Sequence, residues 1–146
     1  MNEQQIRDMK PGPTMDLALA EAFGWIAWEE TRGQYKYVTF QRPGEDEPYK
    51  RSQNWQKDMD RYRQIPFSEI DRMKHVVCGV PEYSTDISAA WEVYEKVDLE
   101  CEHSNLRHGK MGAWSCTFDN IWFDGAHTAP EAICKAALLA IGGAEQ

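Results

Sequence analysis

The amino-acid sequence predicts an α+β fold, a single α-β-α domain, on two observations. Three segments carry apolar residues at helical spacing behind recognisable caps. The stretches between them alternate apolar and polar residues, as half-buried strands do. The length agrees, since 146 residues make one domain with a core of its own. Apolar residues at 42% and charged residues at 27% argue against a disordered chain. A formal charge of −8 argues against a whole-surface grip on nucleic acid or an anionic membrane, while leaving room for a local basic patch.

Residues 1–13 are too polar for the apolar heart of a signal peptide and read as a flexible N-terminal arm ending at Pro11-Gly12-Pro13. The single α-β-α domain is expected over 14–146. Thr14 is the candidate cap of a first helix, with Met15, Leu19, Ala22 and Ile26 at helical spacing. Tyr35 to Phe40 alternates and reads as a strand. A charged insertion follows around 41–66, broken by Pro43, Gly44 and Pro48. Between Lys50 and Arg63 five basic residues face Asp58 and Asp60, a local net of 5 − 2 = +3, so the remainder carries −11. Trp55, Met59 and Tyr62 fall on one face of a short helix.

A short buried piece is expected around His75 to Cys78. The second helix follows Tyr83-Ser84-Thr85-Asp86, with Ile87, Ala90, Trp91 and Tyr94 as its apolar stripe. Val97, Leu99 and Cys101 alternate with acidic residues and read as a half-buried strand. Asn105 to Gly112 reads as a turn-rich link, Ala113 to Phe118 as a strand, and Ile121 to Phe123 as its partner across the turn at Asp119-Asn120. Thr128-Ala-Pro-Glu131 is a capping box that starts the last helix, with Gly142 placed after its end. That helix is apolar nearly all round. With six Trp in the chain, it predicts a homo-oligomer that covers one face with a copy of itself. Its apolar run is short and interrupted by Lys135, so no membrane span is expected. The four cysteines form no C-x-x-C pair and read as reduced thiols.

The string Pro81 to Val93, PEYSTDISAAWEV, and the later string His127 to Ala137, HTAPEAICKAA, resemble the phage ABA-sandwich domain family of small bacteriophage proteins. The helix carrying Phe23-Gly24-Trp25 fits the same pattern, so the resemblance covers most of Met15 to Ile141. It implies a three-layer α-β-α sandwich with a mainly antiparallel sheet. It further implies a phage protein acting in the cytoplasm of an infected bacterial host cell. It implies no catalytic residues.

Candidate site residues come from three places. Tyr83, Ser84 and Thr85 precede a helix whose free N–H groups and partial positive charge suit a phosphate; the plainer reading is a cap, and Asp86 would repel the phosphate. His127 and Thr128 precede the last helix. Asp124 with His127 forms an acid–base or metal candidate lacking a further ligand, against the plainer reading of a turn and cap. Arg51, Trp55, Arg61 and Arg63 interleave base and aromatic, as a stacked phosphorylated ligand needs; the alternative is a polar flap closing over the sheet or a neighbouring subunit. Cys101, His103 and His108 match no zinc spacing. Phosphate-loop, dinucleotide, esterase and metalloprotease motifs are absent from the sequence.

The expectation is a non-enzymatic phage accessory protein with no cofactor and no metal. It would bind and sequester a small anionic nucleotide, a host immune signal of the cyclic-nucleotide or ADP-ribose type, as an anti-defence sponge. The alternatives are a module docking on a host or phage protein, and an enzyme degrading the same signals through Asp124 and His127.

Overall fold

The computed structural model describes residues 1–49, 55 and 59–143. Among the described residues the fold is α+β, with four helices and two mainly antiparallel sheets. The chain forms two compact units, one from 1–22 with 81–146 and the other from 23–80.

In the first unit, the expected arm contains helix α1, Glu3–Asp8. Asn2 and Gln5 cap it reciprocally, each side chain bonding the other's backbone N–H at 2.8 Å. Its Ile6 is buried. Helix α2, Pro13–Ala22, buries Met15, Asp16, Leu19 and Ala20. Helix α3, Ile87–Asp98, is capped by Asp86, whose side chain accepts from the Ser88 N–H. Strands β5, Ser104–His108, β6, Trp114–Phe118, and β7, Ile121–Ala126, make an antiparallel three-stranded sheet in that order. The tight β6–β7 turn sets Asp119 at φ 55°, a left-handed conformation that aspartate tolerates. Its carboxylate accepts the Glu102 and His103 N–H groups at 2.9 and 3.0 Å.

Helix α4, Ala129–Gly143, is the core of this unit. Every residue from 129 to 139 is buried. It packs against α1, α2, α3 and all three strands, so the apolar helix expected to need a second copy finds its cover within the chain. Two charges lie in the run and pair with each other: Lys135 Nζ lies 3.5 Å from Glu131 and 4.7 Å from the Phe123 ring centre. Its Nζ donates to the Arg7 carbonyl at 2.8 Å. That bond fastens α1 to α4.

In the second unit, four strands run in the order β3-β1-β2-β4. Strand β1 is Ile26–Arg32, β2 Tyr35–Gln41, β3 Tyr62–Ile65 and β4 His75–Val77. Only the β2–β4 pair is parallel. Ile26 therefore opens a strand and does not extend the first helix. Gly24 at φ 84° ends that path, a conformation open to glycine and strained for other residues. Tyr62 likewise starts β3, after a 3-10 turn at Met59–Arg61, and so does not share a helix face with Met59; residues 56–58 of the expected short helix lie outside the described residues.

Three further expectations differ from the structure in the first unit. Val97 to Cys101 is not a strand: Val97 is the last buried residue of α3, and Leu99 caps the helix, 87% exposed. The link expected after it contains β5. The buried face of α3 is Ala89, Ala90, Val93 and Val97, which turns Ile87 and Trp91 of the expected stripe outward.

Candidate functional site

Strand pairing assigns side chains to faces of the four-stranded sheet, because directly paired residues lie on the same side. Glu29 pairs with Arg63 on one flank and Val38 on the other, and Lys36 pairs with His75. Val38 lies two residues along β2 from Lys36, so Glu29, Arg63, Lys36 and His75 share one face. One end of that face is apolar, with Ala27, Val38, Phe40 and Ile65 all buried. The other end is an open cleft of about 510 Å³, to which Glu69, Lys74 and Gln34 contribute from the connections.

Glu29 is the anchor of the cleft and is nearly buried. Its Oε2 lies 2.7 Å from His75 Nε2, and its Oε1 lies 3.4 Å from Arg63 and 3.8 Å from Lys36. Arg63 also reaches Glu69 at 3.3 Å. Burial pushes the Glu29 carboxyl up. The His75 bond, Lys36 and Arg63 outweigh it and hold the carboxyl below its ordinary range. The Asp71 N–H donates to His75 Nδ1 at 3.0 Å, so Nε2 carries the proton donated to Glu29. Both ring nitrogens are engaged. The imidazole positions the carboxylate and offers a substrate no free lone pair.

The sequence-predicted residues fall in both units. Trp55 is buried, edge-on to Trp28 at 5.1 Å and Tyr62 at 4.8 Å. Trp28 and Tyr62 alternate in strand with Glu29 and Arg63, so Trp55 packs on the opposite face of the sheet from the cleft. A stacking platform beside Arg63 is therefore not what Trp55 provides. Arg61 is exposed, and Arg51 lies outside the described residues. Ser84 is fully buried and does not cap α3. Its Oγ donates to Asp16 Oδ1 at 2.7 Å and accepts the Gly12 N–H at 2.8 Å, which ties α2 to the turn before α3. Tyr83 is buried and its carbonyl accepts from Cys134 Sγ at 3.2 Å; Thr85 is exposed. Thr128 accepts the Glu131 N–H at 3.3 Å as a cap, while Glu131 pairs with Lys135. His127 and Asp124 are both exposed.

Glu29, Lys36, Glu69, Lys74 and His75 escaped the sequence reading, and only Arg63 was anticipated. The first unit has a smaller cavity of about 250 Å³ beside Ile6, Trp122 and Leu139, where Arg7 is already paired with Glu3 at 3.0 Å. Among the described residues no three His, Cys, Asp or Glu side chains are grouped to hold a metal. Among the same residues no helix is long and apolar enough to cross a membrane.

The fold and this cleft define an α+β sandwich protein whose clustered charges are arranged around a structural carboxylate–imidazole pair. The chain belongs to the phage ABA sandwich domain family, whose model matches residues 48–138, more than half of the sequence. The match takes in Arg63, Glu69, Lys74 and His75 and all of α3, whereas Glu29, Lys36 and the Phe23-Gly24-Trp25 segment precede it. Comparison with curated proteins and with solved structures gives no match.

Proposed function

We propose that this is a non-enzymatic phage accessory protein that captures a small phosphate-bearing ligand, a nucleotide-type signal of the host, and holds it intact in the cytoplasm of the infected cell. The observation that carries this reading is the gathering of Lys36, Arg63 and Lys74 around one cleft in a chain of net charge −8. With Glu29 and Glu69 opposed, the cleft carries 3 − 2 = +1. Arg63 lies 3.4 Å from Glu29 and 3.3 Å from Glu69, and a phosphate entering the cleft meets its guanidinium together with two ammonium groups. The engaged His75 favours capture over catalysis, since it is unavailable as a general base.

The test is calorimetric titration with inorganic phosphate, AMP, ADP-ribose and a cyclic dinucleotide, with mass spectrometry of the ligand recovered afterwards. One nucleotide is expected to bind and to return unchanged. Lys36→Ala with Lys74→Ala should weaken it by about tenfold or more. A chemically altered ligand would convert the reading to an enzyme. Binding unaffected by the double substitution, or no binding at all, would remove the cleft as the site.

A further inference from the structure

The charge of this chain is concentrated in one place. Residues 82–102 contain Glu82, Asp86, Glu92, Glu95, Asp98, Glu100 and Glu102 against Lys96, a net of 1 − 7 = −6 out of −8. All seven carboxylates are exposed. The same segment, α3 and its flanks, also exposes large apolar side chains: Ile87 is 50% exposed, Trp91 44% and Leu99 87%. Folding left these outside because the helix buries the small residues Ala89 and Ala90 with Val93 and Val97.

Trp91 is not a loose side chain. It stacks on Tyr94 at 4.7 Å with the ring planes 7° apart. Tyr94 in turn leans on the buried Phe118 of β6 at 5.4 Å, and its hydroxyl donates to Ser104 Oγ at 3.2 Å. Ser104 Oγ donates to Asp98. The indole is held ready for a partner, with little side-chain entropy left to lose on contact.

We propose that the outer face of α3 docks a basic protein segment carrying an apolar anchor. Ile87, Trp91 and Tyr94 lie along one line of the helix at i, i+4 and i+7, the spacing that receives an apolar side chain from an opposing segment. The acidic rim selects its charge. Arginine and lysine meet carboxylates at the rim and the indole face at the centre, where a guanidinium is attracted to the ring. A second copy is disfavoured as occupant, because pairing two such faces sets −6 against −6. Nucleic acid and anionic lipid are repelled for the same reason. This inference concerns the first unit and stands apart from the cleft of the second.

The probe is a fluorescein-labelled amphipathic peptide of leucine, alanine and arginine, titrated by anisotropy beside a version with glutamate for arginine. The arginine peptide is expected to bind and the glutamate peptide not to. Trp91→Ala, and separately Glu92→Lys with Glu95→Lys, should each weaken binding by about tenfold or more, whereas Trp91→Phe stays within a few fold. A control pair, Glu45→Lys with Asp46→Lys in the other unit, makes the same charge change and should stay within about twofold. All these positions are exposed, and circular dichroism checks that each variant is folded. The proposal is overturned if the control pair costs as much as the α3 pair, or if Trp91→Ala binds like the parent. It is also overturned if sedimentation finds a dimer of the parent chain that Trp91→Ala dissolves.

Discussion

Replacing Glu29 with glutamine tests whether the cleft is organised around a buried charge. The side chain keeps its shape and an oxygen to accept from His75, so the perturbation is electrical. Lost are the charge assistance in the 2.7 Å contact with His75 and the attraction of Arg63 at 3.4 Å and Lys36 at 3.8 Å. Arg63 and Lys36 are more than half exposed and contribute little through solvent. Most of the effect therefore comes from the short His75 bond, and the difference between a charged and a neutral hydrogen bond is about 1–2 kcal/mol. Glu29→Gln is expected to destabilise the protein by that amount near neutral pH.

The pH dependence separates this cause from a packing defect. The folded Glu29 carboxyl lies below its unfolded value, so its stabilisation is fully present above the unfolded value and disappears as pH falls through the folded one. Below both values the parent is protonated as well, and the gap between parent and variant closes. Urea denaturation followed by tryptophan fluorescence, run from about pH 7 down to about pH 3, measures it. A gap of constant size across that range, or no gap at neutral pH, refutes a buried charge as the organiser.

Ser84→Ala removes the hydroxyl that serves Asp16 and Gly12, leaving a buried carboxylate with one donor fewer; a loss of about 1–3 kcal/mol is expected in thermal unfolding, and an unchanged melting temperature would show the Asp16 link to be dispensable. Cys116 and Cys134 should resist an aromatic disulfide reagent at about pH 8 until the protein is denatured, because burial pushes the Cys116 thiol up to about 12 and raises Cys134 further. Labelling of all four cysteines in the native protein at one rate would contradict that burial.

The elements legible in the sequence are those with a local signature. Asp119-Asn120 marked the β6–β7 turn, the aromatic and β-branched residues of Tyr35 to Phe40 marked β2, although Val38, Thr39 and Phe40 are buried in succession and not alternately, and Thr128 announced α4. Strand β1 was hidden because Ile26 continues the helical spacing of Met15, Leu19 and Ala22. Glu29 and Glu30 also place two buried acids on opposite faces, which erases the apolar–polar alternation of a strand. At Val97 to Cys101 three alternating residues mimicked a strand, although Val97 equally completes the spacing of Ala90 and Val93. The cleft was legible only at Arg63, where charge density stood out. Its other members meet through pairings 34 and 46 residues apart, from Glu29 to Arg63 and to His75, and no local pattern carries such distances.

The misassigned stripe of α3 has a physical cause that bears on function. A helix with Ile87, Trp91 and Tyr94 in line is expected to bury them, since tryptophan removes more apolar area from water than two alanines do. Here the buried face of α3 carries Ala89, Ala90, Val93 and Val97, and the helix packs against α4, itself rich in alanine. The large residues are then displaced to the rim, among carboxylates that keep the surface soluble. Ile87 and Trp91, the latter stacked on Tyr94, which leans on Phe118, give the acidic face an apolar centre. Acid alone attracts any cation; acid around a rigid indole selects a segment that brings an apolar side chain with its charge. For that reason the control charge swap, and not the loss of binding by itself, decides the matter.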